Sequence, residues 1–254
     1  MDVFYFSSIS STNDYAKILL DGRNDVMVHA KYQTNGRGRN HKVWVGDYGS
    51  NVYVSIGIDY KDKKVNVGEE MLRCQSIGCL AVKEMLEKLA PELTVTLKYP
   101  NDVYIRQKSD WKKIAGVLVE NEFVGIGLKS SVLGIGVNCS QIDFGENVVA
   151  TSLKKEGVNI PTEVVKNVLF GEIQKLMMQN ANQAITQWKA MVNMKGKTIT
   201  KIGHPGEWVV QGFDDYGMLI ANNEHEKITI TNGDTIRYEL SGKSESVPEA
   251  DVNL

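Results

Sequence analysis

Cysteine is scarce: Cys74, Cys79 and Cys139 are the three in 254 residues. An odd count without dense spacing argues against a disulfide framework. Cys74 and Cys79 lack a second Cys/His pair, which argues against zinc, and their helical setting reads as small apolar packing. A basic surplus is also missing. There are 29 Lys and Arg against 31 Asp and Glu, giving a formal charge of -2 and a pI near 6.1. A nucleic-acid binder usually carries such a surplus, so any cationic site here is local. No apolar run approaches the ~20 residues of a membrane span. The amino terminus, MDVFYFSSISSTN, has an acid at its second position and no long apolar stretch, unlike a signal or transit peptide. These absences predict a soluble, cytoplasmic protein. Repeats and low-complexity segments are lacking too.

What is present is enough hydrophobic residue, 42%, to bury a sizeable core in one large domain plus a small one. Ser and Thr in SSTNDYAKILL can cap a short helix. NVYVSIGI alternates, with Val52 and Val54 on one face and Tyr53 and Ser55 on the other. From about Glu69 to Leu89 the apolar residues Cys74, Ile77, Ala81, Met85 and Leu89 fall on one helical stripe, which Pro91 follows. Strand signals VTLKY, VYI, IAGVLVE, FVGIGL and VLGIGV come next, with a hairpin expected in GLKSSVLG, so the fold class is α+β with a mixed sheet. One or two helices follow, Thr162 being a candidate cap. After residue 196, short strands alternate with turns as in a small β-barrel. The expected division is 1–194, 195–240 and a disordered polar tail at 241–254.

Four segments can carry chemistry, and the first three have a plainer reading. In QTNGRGRNHKVW, Gly36 and Gly38 let backbone N–H groups approach a ligand, Arg37 and Arg39 suit phosphate or carboxylate, and Trp44 offers a stacking face. The plainer reading is a solvated basic loop anchored by a core tryptophan. In LKYPNDVYI, Pro100 stiffens a turn that presents Asn101 and Asp102, suited to a metal-bound phosphate or simply to an ordinary turn. In KKIAGVLVEN, Lys113 opens a strand beside Gly116, as a fixed cation or a solvated end. In LGIGVNCS, Gly134 and Gly136 share one strand face before Asn138, a flat floor under something bulky. The spacing fails for the GxGxxG of a dinucleotide fold.

The order SSTNDYAK, Q-x-x-GRGR-x(4)-W, KYPND, K-x-A-G-x-L-x-E, GIGVN resembles the biotin–protein ligases over nearly the whole chain. The resemblance implies a catalytic α+β domain and an SH3-like carboxy-terminal domain. It implies biotin activation with MgATP to biotinyl-5′-AMP, then transfer to one lysine of a carboxylase or decarboxylase carrier domain. No amino-terminal DNA-binding helix-turn-helix fits before Ser11, so DNA binding is not expected. The resemblance puts Ser11, Thr12 and Asn13 in the biotin site, with the hydroxyls of the first two at the ureido ring, Gln33 beside that site, and Gly36, Arg37, Gly38 and Arg39 in a ligand-clamping loop. Trp44 borders biotin and adenine. Lys98, Asn101 and Asp102 face phosphate and magnesium, Lys113 the biotin carboxylate and α-phosphate, and Asn138 the adenylate. Gly116, Gly134 and Gly136 line the biotin floor. Asp102 is either a metal contact or the group that orients the acceptor amine. Four positions depart from the pattern: Asn40 and His41 in the loop before Lys42, Tyr99 in place of tryptophan, and Cys139 after Asn138. A lipoate ligase or octanoyl transferase of similar fold is the rival reading. Monomer and homodimer both fit.

Overall fold

The computed structural model describes residues 1–20, 25–61, 63–106, 110–145 and 148–240, His41 in its backbone alone; the expected tail at 241–254 lies outside the described residues. The chain runs β1 (Asp2–Phe6), α1 (Thr12–Leu20), β2 (Val26–Ala30), β3 (Asn51–Asp59) and α2 (Val67–Leu89). Then come β4 (Thr94–Lys98), β5 (Asp102–Arg106), β6 (Lys112–Val124), β7 (Gly127–Asn138), α3 (Thr162–Met177) and α4 (Ala181–Val192). The last strands are β8 (Thr198–Lys201), β9 (His204–Phe213), β10 (Leu219–Asn222), β11 (Lys227–Ile230) and β12 (Ile236–Arg237).

Seven strands form one sheet in the order β1-β2-β3-β7-β6-β5-β4. β1 and β2 are parallel and the other neighbours antiparallel, so the sheet is mixed as expected. The last five strands form a second, antiparallel sheet in the order β11-β10-β9-β8-β12.

Side-chain alternation decides what each face of the large sheet does. Val52, Val54, Ile56 and Ile58 of β3 and Leu133, Ile135 and Val137 of β7 point into the main core, where α2 and α3 cover them. The opposite face of β2 and β7 packs Val26, Val28, Ala30 and Val132 against Ala16 and Leu20 of α1. On that face, beyond α1, lie Ser55, Gly134 and Gly136. Helix α2 sits close beneath them because Gly78 carries no Cβ, which would lie 2.7 Å from Val117 Cγ1 and 2.8 Å from Leu133 Cδ1.

β3 alternates as expected, Val52 and Val54 facing the main core and Ser55 the side of Gly134, with all of Asn51–Ile58 buried. Three local expectations need correction. GLKSSVLG is not a hairpin but part of continuous β7; the turn lies at Gly125–Ile126, where Gly125 has φ +59° and Val124 pairs with Gly127. Thr162 is the first residue of α3 and does not cap it; Pro161 holds that place with no side-chain cap, and proline's fixed φ suits a helix start. Helix α2 starts two residues early, at Val67, because Asn66 accepts from the Glu69 N–H at 3.1 Å.

Candidate active site

The glycine face forms the floor of a cleft of about 1310 Å³. Pockets for one small ligand run to roughly 1,000 Å³, so this one has room for two joined molecules. Gly116 of β6 and Gly136 of β7 sit opposite each other in register. The indole of Trp44 lies on both: a Cβ at Gly136 would be 2.8 Å from Cε2, and one at Gly116 2.8 Å from Cζ3. The tryptophan therefore meets the glycine floor, and its Nε1 is buried without a partner.

One end of the floor is polar. The Thr12 N–H and hydroxyl donate to Gln33 Oε1 at 2.7 and 3.1 Å. Ser55 Oγ lies 2.7 Å from Thr12 Oγ1 and 2.6 Å from Asn13 Oδ1. A serine has one proton, so Ser55 can donate to only one of these acceptors. Asn13 Nδ2 donates to Glu120 Oε2 at 2.6 Å, which turns Asn13 Oδ1 toward Gly134. Ser11, Thr12, Asn13 and Ser55 are buried, so a spare acceptor among them favours a ligand that brings N–H groups.

The other end is cationic. Lys113 Nζ stands 5.3 Å from the Trp44 ring and 2.8 Å from Asp102 Oδ1. That pairing is ionic but off the angle of a hydrogen bond, so the buried Asp102 Oδ1 keeps an unused acceptor direction. Antiparallel β5 and β6, with a register shift after Val103, bring the two side chains together. Asn101 is held by its amide: Nδ2 donates to the Val117 carbonyl at 2.7 Å, and Oδ1 accepts from Arg39 at 3.3 Å. Lys98 Nζ sits 4.9 Å above the Tyr104 ring. Asn138 is buried and donates to the Thr151 carbonyl at 3.0 Å, which ties the 148–153 segment beside the cleft. Among the described residues no group of three or more His, Cys, Asp or Glu is placed to hold a metal.

The Gly-Arg loop is a small hairpin. The Trp44 N–H donates to the Gly36 carbonyl at 2.9 Å and the Gly38 N–H to the Lys42 carbonyl at 2.7 Å. Gly36 is required there, since a Cβ would lie 2.5 Å from the Trp44 carbonyl oxygen. The two arginines differ. Arg37 makes a bidentate pair with Asp14 at 2.6 and 2.7 Å and reaches Glu120 at 3.3 Å. Its hydrogen bonds to Asp14 hold the guanidinium above and the carboxyl below their ordinary pKa values. Burial pushes Glu120 up, but its hydrogen bonds to Asn13 and Lys17 and the cations Lys17 and Arg37 outweigh it and leave the carboxyl low. Arg39 faces the cleft, with Asn101 and, at 3.8 Å, Asp234 as neighbours.

The structure thus gathers Ser11, Thr12, Asn13, Gln33, Arg37, Arg39, Trp44, Lys98, Asn101, Asp102, Lys113, Gly116, Gly134, Gly136 and Asn138 around one cleft. Gly36 lies beside it, behind Trp44 and Gln33. It adds Asp14, Ser55, Glu120 and Asp234, which the sequence reading did not single out. Two of them had a signal: Asp14 as a letter of SSTNDYAK and Glu120 as the last letter of K-x-A-G-x-L-x-E. Tyr99 packs in one aromatic cluster with Trp188 and Phe213, and Cys139 is buried with its thiol pushed up to about 12 by desolvation. The side chain of His41 lies outside the described residues.

Comparison with known proteins agrees with this geometry. The model of the "Biotin/lipoate A/B protein ligase family" matches residues 5–138. A "Biotin--protein ligase" of Schizosaccharomyces pombe is 25% identical over 227 residues, covering 80% of this chain and 35% of the relative. A "Biotin--[acetyl-CoA-carboxylase] ligase" of Mycobacterium tuberculosis is 28% identical over 231 residues, covering 83% of this chain and 78% of the relative. The solved biotin protein ligase of Aquifex aeolicus in complex with biotin and ATP superposes with a TM-score of 0.70 at 22% identity, covering 94% of this chain and 99% of that one. This chain spans about a third of the yeast relative, so the match concerns the shared region. With more than half its length matched by the family model, the chain belongs to the biotin/lipoate A/B protein ligase family.

Proposed function

We propose that the chain is an ATP-dependent biotin–protein ligase. The observation that carries the reading is the polarity of the cleft. A buried cluster with a spare acceptor stands at one end of the glycine floor and Lys113 at the other. Biotin has the same polarity, with two ureido N–H groups at its head and a carboxylate at its tail. The complementary head group argues for biotin over lipoate or octanoate, which bring no N–H donors. The five-stranded sheet is the counterpart of the SH3-like domain implied by the family resemblance.

In the first step a biotin carboxylate oxygen bonds to the α-phosphorus of ATP, and the bond to pyrophosphate breaks. Two anions must meet, so Lys113 and Arg39 lower their repulsion and favour the charge that develops on the α-phosphate. Donors aimed at such charge contribute about 2.7–4 kcal/mol each. Arg37, held by Asp14 and Glu120, anchors the loop over the ligand. Magnesium arrives as part of the nucleotide substrate: Asn101 is already engaged at both side-chain atoms, and the Asp102 carboxylate is shared with Lys113. In the second step an acceptor lysine nitrogen bonds to the biotinyl carbonyl, AMP leaves, and the amine loses a proton. Asp102 Oδ1, with its unused acceptor direction, orients that amine. The mycobacterial relative's name supports a carboxylase carrier domain as acceptor.

The test is incubation with ATP, Mg²⁺, biotin and a carrier domain, followed by mass spectrometry of the carrier. One added biotinyl group on one lysine is expected. No gain in mass, together with calorimetric binding of lipoate in preference to biotin, overturns the reading.

A further inference from the structure

The tip of the Gly-Arg loop is held by the second sheet. Asn40 adopts the left-handed conformation, φ 51° and ψ 43°, which asparagine tolerates better than most residues. Its Nδ2 donates to Asp234 Oδ2 at 2.6 Å, with Asn232 Oδ1 more distant at 3.5 Å. The same Asp234 oxygen lies 3.8 Å from Arg39. Asn40 thus has a job that explains its place in a loop otherwise rich in glycine and arginine.

Asp234 is itself firmly seated. Its N–H donates to Asn232 Oδ1 at 3.0 Å and its carbonyl accepts from Arg237 at 2.8 Å. The turn around it packs on the KYPND turn: a Cβ at Gly233 would lie 2.7 Å from Pro100 Cδ. Tyr238 Oη accepts from the Tyr99 N–H at 2.8 Å, and Tyr99 Oη donates to the Gly217 carbonyl at 3.1 Å. Asn101 and Asp102 follow directly in that turn. The second sheet therefore grips both the loop that carries Arg39 and the turn that carries Asp102, and sets the distance between them.

We propose that Asp234, from the carboxy-terminal sheet, is a positioning residue for the ligase reaction, which latches the arginine loop through Asn40 and so fixes Arg39 at the cleft. The role rests on the ligase reading given above. It gives Arg39 a resting anion to exchange for the nucleotide phosphates, and the loop a point of attachment that stays in place during that exchange. With the latch open, Arg39 loses its fixed station and the loop closes less often over the adenylate.

The test uses the full chain with Asn40→Gly, Asn40→Asp, Asp234→Asn and the exchange double variant Asn40→Asp/Asp234→Asn. Asn40→Gly keeps the backbone conformation and removes the amide. Asn40→Asp sets two carboxylates against each other. The double variant restores a donor and an acceptor in reversed order. Trypsin cleavage after Arg37, Arg39 and Lys42, without ligand, reads the latch alone. Release of preformed biotinyl-5′-AMP reads its consequence. One hydrogen bond corresponds to about a 2- to 10-fold faster release in Asn40→Gly, with a larger change in Asn40→Asp, recovery in the double variant, and unchanged urea midpoints since Asn40 is exposed. Wild-type rates of both cleavage and release in Asn40→Asp overturn the proposal, as does faster cleavage with unaltered release. If the wild type forms no adenylate, the ligase reading fails, and protection of the loop still reports on the latch.

Discussion

Replacing Gly134 with alanine puts a Cβ 2.1 Å from Asn13 Oδ1, 2.9 Å from its Cγ and 3.1 Å from its Nδ2. Ordinary van der Waals separation requires the carboxamide to move by roughly 1 Å. It has little freedom to do so. Nδ2 is held by Glu120 and Oδ1 lies against Ser55, both at 2.6 Å. The neighbouring Thr12 hydroxyl and Gln33 are tied into the same cluster. Moving Asn13 breaks one or two of these contacts in a buried setting, each worth about 1–3 kcal/mol when a polar group is left unpaired. The expected loss is therefore about 2–4 kcal/mol in urea denaturation, with an unchanged m value. Biotin affinity by calorimetry falls at the same time, since Asn13 Oδ1 leaves the floor. Asn13→Ala removes the group that the new methyl strikes. In the Asn13→Ala background Gly134→Ala then has little further effect, and the double-mutant cycle shows coupling of the two sites. Wild-type stability of Gly134→Ala, or strict additivity with Asn13→Ala, refutes the argument that β7 needs glycine here to admit Asn13.

Lys113→Ala removes the cation beside Asp102, so biotin-dependent pyrophosphate release falls by about 100-fold or more while circular dichroism stays native; a folded variant with a normal rate contradicts the role. Arg39→Gly weakens the hold on the adenylate, so unrelated lysines become labelled; labelling confined to the acceptor counts against it. Asp14→Asn breaks the pair with Arg37, whose hydrogen bonds hold the Asp14 carboxyl below its ordinary 3.8. A depressed folded pKa stabilises above the unfolded value, so the stability gap between wild type and Asp14→Asn is full at neutral pH and closes as pH falls below 3.8. Solvent screening keeps it under about 1 kcal/mol; a gap that does not narrow in thermal melting as pH falls below 3.8 refutes the assignment. Gly171→Ala, in α3 with no atom within 4 Å of the new Cβ, raises stability by about 0.5–1 kcal/mol in urea, and a loss there means that the helix surface is not open.

What the sequence makes legible is what local chemistry controls. The stripe from Cys74 to Leu89 is a helix because its apolar spacing has no competing reading, and Pro100 and the glycine pairs mark the strands that carry the site. What it hides is set by register between distant strands. Ser55 enters the polar cluster because β3 pairs with β7, opposite Gly134. Glu120 enters because β6 pairs with β7 and brings it beneath Asn13, 107 positions earlier in the chain. Periodicity within a strand says which residues share a face and nothing about which strand lies alongside. β3 shows both sides of this: its alternation assigns Val52 and Val54 to one face and Ser55 to the other correctly, but does not tell that both faces are buried.

Tertiary contacts also separate the two arginines of the loop. In sequence Arg37 and Arg39 are equivalent, two planar cations flanking a glycine. In the folded chain the hairpin sends one toward Asp14 of α1 and Glu120 of β6, and the other toward the KYPND turn. A guanidinium held bidentately by a carboxylate has few donors left for phosphate, whereas Arg39 has one amide oxygen at 3.3 Å and a carboxylate at 3.8 Å, contacts weak enough to exchange. Loop anchoring and phosphate contact are therefore divided between them. Consequently Arg37→Lys, which keeps the charge but loses the fork, should loosen the loop more than Arg39→Lys does, while Arg39→Lys should raise the KM for ATP more than Arg37→Lys does. Equal effects of the two substitutions on tryptic cleavage of the loop and on KM would show that the ion pair with Asp14 has no part in holding it.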